Sequence, residues 1–292
     1  MIERITIIGT GLMGASIGLA LKQAGFNGQI VGWDKTREEA QVAYDRGALT
    51  DITDDPETIA CESDVIVLAT PVMGILDWME RLAPYIAVGQ LITDVGSTKL
   101  EIAQAALRLY PDRGAESVYK NARVLPGHPM AGKESGGAAL AEADLFRNAT
   151  WLFTPIYEAA DPLEAEWREW VVRFGAHVLD LDAARHDEVC AWVSHLPQML
   201  STALAALLEE TFAGDPVRRE EIAAIGGRAL KETTRLGASP YSMWRDIALS
   251  NTEPIAATLH ALEQRLAHVR ENLRTPELKE EFRLANEFRA RR

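Results

Sequence analysis

The chain has 292 residues, of which 47% are hydrophobic and 25% charged, a composition typical of a globular protein rather than a disordered one. Its formal net charge of -13 argues against binding to nucleic acid, and any anionic ligand would have to be met by a local cluster of Arg and Lys. No apolar run approaches the roughly 18 residues that span a bilayer, and the first residues lack the pattern of a secretion signal. Cys61 and Cys190 lack metal-ligand spacing and are interpreted as buried thiols of a reducing compartment, so we expect a cytoplasmic protein that does not enter a membrane.

Apolar, β-branched runs alternate with helical patterns in the first part of the chain. Strands are predicted at residues 4–8, 29–33, 64–71, 91–95, 122–126, 151–155 and 177–181. A helix is predicted at residues 37–46, where Gly47 ends it. This alternation predicts an α/β fold with a doubly wound parallel sheet that helices cover on both faces.

From about residue 183 the alternation ends, and almost every segment has helical periodicity. We therefore expect two domains, an α/β domain at residues 1–182 and an all-α domain at residues 183–292. Helices such as 203–208 and 255–269 have wide apolar faces that need partners. A bundle shared across a homodimer would cover these faces, and on the pattern alone a monomeric bundle would do so equally well.

A glycine-rich turn joins the first predicted strand to a helix. Gly9 permits a tight turn, Gly11 lets the backbone approach a pyrophosphate, and Gly14 allows close packing of the helix on the strand. The free N–H groups at the start of that helix favour an anion. This context predicts a Rossmann-type dinucleotide site, whereas the alternative is a turn that is glycine-rich for backbone reasons alone.

Asp34 ends the second predicted strand, where a carboxylate can accept hydrogen bonds from the adenosine ribose and repel a 2′-phosphate. Lys35 and Arg37 offset part of that repulsion, so the expected cofactor is NAD, with NADP less favoured. The alternative role for Asp34 is a cap for the next helix. Four further residues are assigned to the cofactor site: Leu12, Met13, Thr70 and Pro71.

Two segments follow predicted strand ends, the edge at which open α/β sheets bind ligands. Ser97 lies in the first, where it could face a nicotinamide or could simply cap the helix that begins near Leu100. His128 lies in the second, a long glycine-rich segment at residues 127–137. Taken alone, His128 is as well explained by a structural loop as by catalysis.

Charged groups in the second half form one suggestive pattern and one weak one. Arg228, Lys231 and Arg235 have the spacing of one helix face, which is either an anion site or a solvated face balanced by nearby Glu residues. His186 and Asp187 place a carboxylate beside a histidine, but no recognised ligand spacing accompanies them. We therefore expect no metal site.

The motifs together resemble the signature set of prephenate and arogenate dehydrogenases, in order over most of the chain. They are Gly-Thr-Gly-Leu-Met-Gly (9–14), Asp-Val-Gly-Ser-Thr-Lys (94–99), Gly-His-Pro-Met-Ala-Gly-Lys-Glu-Ser-Gly (127–136), Ser-His-Leu-Pro-Gln (194–198), Thr-Thr-Arg-Leu (233–236) and Met-Trp-Arg-Asp (243–246). The glycine turn is shared with many dehydrogenases. The histidine segment and the Arg–Trp segment are specific to this family.

The resemblance implies that His128 is the general base for the ring hydroxyl of the substrate while hydride leaves the same carbon for NAD. It implies that Ser97 orients His128 and touches the nicotinamide, and that Arg235 binds a substrate carboxylate through its guanidinium group. Four weaker substrate-site candidates follow from the same match: Lys231, His195, Glu134 and Trp244.

The activity implied by the resemblance is the oxidative decarboxylation of prephenate to 4-hydroxyphenylpyruvate, on the route to tyrosine. An arogenate-specific or dual-specificity cyclohexadienyl dehydrogenase is the alternative. A β-hydroxyacid dehydrogenase and a non-catalytic dinucleotide sensor are more distant alternatives, and neither explains the segment around His128. The expected assembly is a homodimer.

Overall fold

The computed structural model describes residues 1–111, 122–133, 135–159 and 161–291. Six parallel strands form its main sheet: β1 (Arg4–Ile8), β2 (Gln29–Trp33), β3 (Asp51–Ile52), β4 (Val65–Leu68), β5 (Leu91–Asp94) and β6 (Arg123–Leu125). Their spatial order is β3-β2-β1-β4-β5-β6, which confirms the predicted doubly wound α/β fold. Strands β2 and β3 are added on one side of β1, and β4, β5 and β6 on the other, so the order of the strands switches between β1 and β4. Ligand sites in such sheets lie at this switch point, beyond the carboxyl ends of the strands.

Helices cover both faces of this sheet. They are α1 (Leu12–Gln23), α2 (Arg37–Asp45), α3 (Pro56–Cys61), α4 (Val72–Leu82), α5 (Leu100–Leu109) and α6 (Pro162–Arg173). Successive strand residues point to opposite faces, so Ile7 packs in one apolar cluster and Ile8 in the other. The strands are consequently apolar along almost their whole length, as expected when a parallel sheet is buried on both sides.

A second sheet follows the first: β7 (Gly127–Pro129), β8 (Thr150–Phe153) and β9 (His177–Asp180), with β7 antiparallel and β9 parallel to β8. The predicted strands at 151–155 and 177–181 therefore pair with each other instead of extending the parallel sheet. His128 lies in β7, not in the loop predicted for it. The chain changes sheets at Pro126, which has no N–H to continue the ladder of β6 and whose carbonyl accepts a bond from Thr154 N at 3.0 Å.

The remainder is helical: α7 (Ala183–Cys190), α8 (Leu196–Phe212), α9 (Pro216–Ile225), α10 (Gly227–Thr234), α11 (Tyr241–Ser250), α12 (Thr252–Glu271) and α13 (Glu277–Ala290). A π-helical turn, Ala191–His195, joins α7 to α8. Arg235 was expected to share one helix with Arg228 and Lys231, but α10 ends at Thr234 and Arg235 opens a 3-10 turn. In the described residues we find no helix with the length and apolar character needed to cross a membrane.

Two carboxylates of the helical part cap helices of the sheet part. Neither α4 nor α5 has a side-chain cap at its own N-cap residue. Asp187 accepts hydrogen bonds from Lys99 N at 2.7 Å and Leu100 N at 2.9 Å, while Asp246 accepts one from Met73 N at 3.3 Å. Each carboxylate meets a helix N-terminus, where negative charge is favoured. These contacts fix the helical part against the carboxyl edge of the sheet.

Candidate functional site

A cavity of about 320 Å³ lies between the two parts at this edge. Five residues predicted from the sequence line it: Leu12, Met13, Thr70, Pro71 and Ser97. The helical part contributes Pro240, Met243 and Ile247 to its wall. A site between a dinucleotide-binding sheet and a helical cap has the position expected for a cofactor and a small substrate to meet.

The glycine turn beside this cavity has the backbone that a phosphate site requires. Gly9 has a φ of +95°, and a Cβ there would lie 2.6 Å from the carbonyl oxygen of Ala69. A Cβ on Gly14 would lie 2.0 Å from the Gly9 carbonyl oxygen, whereas one on Gly11 would face open space. Packing therefore excludes any residue larger than glycine at positions 9 and 14. Gly11 leaves room for a ligand at the N-terminus of α1.

Asp34 is half-buried and already holds the neighbouring backbone. Its carboxylate accepts bonds from Thr10 N at 2.8 Å and Thr36 N at 2.9 Å. These bonds use only part of its accepting capacity and aim the carboxylate beside the glycine turn. Arg37 forms an ion pair with Asp54, so one of the two cations that could attract a 2′-phosphate is engaged elsewhere.

A buried ion pair joins the two strand-end segments. Asp94 accepts bonds from Lys99 Nζ, from Gly96 N at 2.7 Å and from Gly127 N at 3.2 Å. Burial raises the pKa of Asp94, and Lys99 opposes that rise. Both side chains are almost fully buried. The contacts of Asp94 connect the turn that carries Ser97 to the start of β7.

His128 lies at one end of a buried chain of hydrogen bonds. Its Nδ1 lies 2.9 Å from Nε2 of His186, and Nδ1 of His186 lies 2.8 Å from Oδ1 of Asp187. Burial lowers the pKa of His128 well below its ordinary value, and the neighbouring His186, Lys99 and His195 lower it further. His128 is therefore neutral at pH 7.

The chain of bonds selects one tautomer of His128. Asp187 is a carboxylate and accepts, so His186 carries its proton on Nδ1 and presents a lone pair at Nε2. His128 must then donate from Nδ1, which leaves its Nε2 unprotonated. A neutral imidazole with a free Nε2 lone pair is the form that can take a proton from a substrate hydroxyl.

His186 contacts Nδ1 of His128, which the sequence did not predict, and the role of Ser97 in orienting His128 stays a prediction. Ser97 is half-buried in the cavity wall beside the glycine turn. It is also not the cap of α5, because Asp187 caps that helix, and Thr98 instead bonds to Ser250 with 2.7 Å between their hydroxyl oxygens. The position of Ser97 favours a contact with the cofactor.

His195 is buried at the end of the π-helical turn, a local irregularity often found at functional sites. Nδ2 of Asn251 donates to the Asp187 carbonyl at 2.9 Å and to Nδ1 of His195 at 3.1 Å. His195 therefore carries its proton on Nε2, and that N–H has no partner among the described residues. Burial lowers the pKa of His195 to about 4, so this side chain is a neutral, unsatisfied donor.

Trp244 packs against His195, with ring centroids 5.8 Å apart and rings nearly perpendicular. Its Nε1 is also a buried donor without a partner in the described part of the chain. Arg235 and Lys231 are exposed on the helical part, and Glu134 lies outside the described residues. The structure thus joins His195 and Trp244, but does not bring Arg235 or Lys231 into the group of buried residues around His128.

One of the two cysteines differs from expectation. Cys61 was predicted to be buried but is exposed near the end of α3, whereas Cys190 is buried as predicted. Cys190 Sγ lies 3.6 Å from His186 Nε2 and 4.0 Å from His128 Nδ1. The absence of recognised ligand spacing in the sequence therefore did not exclude a cluster of metal-binding side chains, which the fold assembles here.

Sequence reasoning missed His186, Asp187 and Asn251 as parts of the site. One local signal existed: His186 and Cys190 are four residues apart, a spacing that puts both on one face of a helix. The 2.9 Å contact of His186 with His128 joins residues 58 positions apart and could not be read from local spacing.

Comparison with known proteins identifies both parts of the chain. Residues 17–179 match the family model described as prephenate dehydrogenase, nucleotide-binding domain, and residues 182–288 match prephenate dehydrogenase, dimerization domain. A prephenate dehydrogenase of Lactococcus lactis is 32% identical over 270 residues, which are 92% of this chain and 70% of the relative.

Two solved structures have the same fold. The arogenate dehydrogenase of Synechocystis is 28% identical, with a TM-score of 0.77 and coverage of 99% of both chains. The prephenate dehydrogenase of A. aeolicus, in complex with hydroxyphenyl propionate and NAD+, is 24% identical, with a TM-score of 0.85 and coverage of 100% of this chain and 97% of that one. At that identity the second likeness shows the fold alone.

Proposed function

Because the chain belongs to the prephenate dehydrogenase family, we propose that it oxidises prephenate to 4-hydroxyphenylpyruvate with NAD as hydride acceptor and with loss of carbon dioxide, in tyrosine biosynthesis. The observation that carries the proposal is His128, a buried neutral histidine whose Nδ1 is occupied by His186. It lies one residue after Gly127, which Asp94 holds at the edge of the sheet beside the cavity. Such a group is equipped for acid–base chemistry near pH 7.

The proton balance of the reaction suits a neutral histidine. NAD, when bound, accepts the hydride from the carbinol carbon of the substrate ring. His128 takes the hydroxyl proton through Nε2, the carbinol oxygen becomes a ketone, and the C–C bond to the ring carboxylate breaks to release carbon dioxide. The electrons of that bond make the ring aromatic and leave a phenolate, to which His128 returns the proton. His128 is thereby restored, and no net proton is produced.

The imidazolium formed in mid-reaction needs support. Nδ1–H of His128 points at His186, whose other nitrogen is bonded to Asp187, so positive charge on His128 is oriented toward a buried carboxylate. Lys99 opposes that charge from nearby, and its pairing with Asp94 limits the opposition. His186 and Asp187 act as positioning residues, because His186 contacts the base and Asp187 holds His186 in place.

We assign substrate contacts to five residues on the strength of the family pattern. Arg235 pairs with a substrate carboxylate, with Lys231 as a second cation, and Nε2–H of His195 donates to a substrate oxygen. His195 has the strongest independent support, since a buried donor left without a partner is costly unless a ligand satisfies it. Trp244 and Glu134 shape the pocket around these groups.

The cofactor assignment to NAD in preference to NADP rests on Asp34. Its carboxylate is fixed beside the glycine turn by Thr10 and Thr36, and Arg37 is engaged with Asp54. A 2′-phosphate would meet this negative charge directly. Turnover at equal concentrations of the two cofactors tests the assignment, and equal or better turnover with NADP would remove Asp34 from its role.

We propose that residues 1–182 and 183–292 are separate domains and that the second forms a homodimer. The division lies close to the boundary between the two family matches, and the second match is described as a dimerization domain. Sedimentation equilibrium measures the assembly, and a monomer at micromolar concentration would contradict it.

The free thiols Cys61 and Cys190 support a reducing, cytoplasmic location.

The proposed activity is tested by incubating the protein with NAD and either prephenate or arogenate while the absorbance of reduced cofactor is followed. Prephenate-dependent reduction, with 4-hydroxyphenylpyruvate as product, supports the proposal. Reduction with arogenate alone would transfer the function to the arogenate-specific alternative, which the likeness to the Synechocystis enzyme favours as second candidate. NAD binding without turnover of either compound would leave a dinucleotide sensor.

A further inference from the structure

The side chains of His128, His186 and Cys190 form a buried cluster whose ligand atoms all lie within 4.8 Å of one another. The separations are 2.9 Å between the two nitrogens and 3.6 and 4.0 Å from the sulfur to each of them. In a tetrahedral zinc site, bond lengths of about 2.0 Å to nitrogen and 2.3 Å to sulfur put ligand atoms roughly 3.3–3.6 Å apart. Shifts of a few tenths of an ångström would therefore suffice to hold an ion.

We propose that this cluster is a binding site for a thiophilic divalent cation, Zn²⁺, and that the ion switches off the base His128. Two imidazoles and a thiol select zinc over magnesium or calcium, which prefer oxygen ligands. The ion would bind His128 Nδ1, His186 Nε2 and Cys190 Sγ, with a water molecule as the fourth ligand. The switch rests on the proposed function, whereas the binding site does not.

The residues that support the cluster are arranged as they are around a bound metal ion. The Nδ1–H of His186 bonds to the Asp187 carboxylate at 2.8 Å, which fixes the ring and turns the Nε2 lone pair toward the cluster. A carboxylate bound to the far nitrogen of a histidine is the usual support for a metal ligand. Asp187 is itself held by Lys99 N and Leu100 N, so this support is rigid.

Binding requires a defined movement of protons. Burial raises the pKa of the Cys190 thiol to about 12, so the ion must displace the thiol proton to form the metal–sulfur bond. The proton on His128 Nδ1 must also leave that nitrogen, and the neutral ring then carries a proton on Nε2 instead. One proton is released to solvent for each ion bound, and the nitrogen that had accepted the substrate proton becomes a donor. The base is lost without a change of charge on the ring.

The site itself is tested by titrating the full-length protein with Co²⁺ as a spectroscopic substitute for Zn²⁺. The expected result is a cobalt–thiolate charge-transfer band that saturates at one ion per chain. Cys190→Ser and Cys190→Ala should both lose the band, and Cys61→Ser, which removes the exposed thiol, should keep it. No band in wild type, a band that survives in both Cys190 variants, or one that disappears in Cys61→Ser would overturn the site.

The switch is tested by turnover with NAD and prephenate in the presence and absence of Zn²⁺. Occupancy should lower the turnover of wild type and Cys61→Ser by roughly 10²–10⁴-fold, the range for loss of a general base. Each Cys190 variant, compared with its own metal-free rate, should be insensitive at the same Zn²⁺ concentration. An undiminished wild-type rate with the cobalt band present would overturn the switch. If the metal-free wild-type protein showed no turnover of prephenate, the proposed function would be refuted. The cobalt–thiolate band would still show whether the metal site exists.

Discussion

The two parts of the chain bury their apolar side chains to different extents. In the sheet part, large side chains such as Ile5, Trp151 and Trp167 are fully buried. In the helical part, α9, α10 and α13 have no buried residue, and Leu207, Ile225 and Phe282 are among the large apolar side chains left exposed. The sheet part closes its own core, and the helical part has faces that a second copy of the chain would cover.

Buried charged and polar groups occur in both parts. The sheet part contains the buried Lys99–Asp94 pair and His128, and the helical part contributes the buried His186 and Asp187. Arg228, Lys231 and Arg235, by contrast, are exposed on the helical part. The buried groups of both parts meet around His128, and the exposed cations of the helical part are not among them. Changes to the buried groups should therefore damage catalysis or folding, and a change to the exposed Arg235 should damage mainly substrate binding.

The largest effect is expected for His128→Asn. Loss of the general base should lower kcat by roughly 10²–10⁴-fold, because Asn cannot take the hydroxyl proton. NAD affinity, followed by quenching of tryptophan fluorescence, should remain unchanged, since the glycine turn and Asp34 are untouched. Turnover near the wild-type value across the pH range would reduce His128 to a structural residue.

The second effect concerns stability. Lys99→Met leaves Asp94 buried without its partner, and breaking such a pair costs about 3–5 kcal/mol in the free energy of unfolding. Arg228→Met is the matched control, because the Arg228–Glu232 pair lies on the exposed surface of α10 and should contribute no measurable stability. Denaturant titration compares the two variants. If both variants lost the same free energy of unfolding, the buried Lys99–Asp94 pair would contribute no more stability than the exposed Arg228–Glu232 pair.

The third effect is a pH dependence of stability at the junction between the parts. Burial lowers the pKa of His195 to about 4, so between pH 6.5 and 4 the unfolded chain binds a proton that the folded chain excludes. Stability should therefore fall as pH falls through this window. His195 would contribute roughly 3 kcal/mol of that loss, at 1.36 kcal/mol per pKa unit.

His195→Asn should flatten this dependence by about one proton, measured as the slope of unfolding free energy against pH. His260→Asn is the control, since that side chain is 72% exposed and should leave the slope unchanged. A slope that is the same in His195→Asn and wild type would contradict the assignment of His195 as a buried neutral group.

The smallest effect is expected for Arg235→Gln. Loss of charged hydrogen bonds to a carboxylate, at about 1.5–3 kcal/mol, should reduce kcat/KM for prephenate by roughly 10–150-fold, mainly through KM. Arg228→Gln is the control for the loss of one positive charge from the same region, and it should have little effect on kcat/KM. Equal damage from both changes would indicate diffuse electrostatics and would argue against a specific contact at Arg235.

Much of the fold was readable because it follows from local patterns. The strand at Arg4–Ile8, the glycine turn and the start of the helical part at residue 183 each have a signal within a short window. The second sheet was missed because Pro126 redirects the chain through pairings with Thr150–Phe153, more than 20 residues away. Sheet membership depends on such distant partners and not on the strand pattern itself.

The site was only partly predictable for the same reason. Motifs located His128 and His195, but the tautomer of each ring is set by groups distant in sequence, His186 for the first and Asn251 for the second. The cap of α5 was likewise sought in Ser97 or Thr98 and is supplied by Asp187, 88 residues from Lys99. Side chains that complete each other's hydrogen bonds across the fold leave no periodic signal.

The proposed mechanism requires that His128 is neutral at pH 7, with its proton on Nδ1 and a free lone pair on Nε2. The chain contains six histidines, so a ¹⁵N-histidine spectrum is simple enough to assign by comparison with His128→Asn. The ¹⁵N shifts and couplings at pH 7 should show a protonated Nδ1 and an unprotonated Nε2 for His128. A proton on Nε2, or an imidazolium, would contradict the role of His128 as the base, because neither form could accept the substrate proton at Nε2.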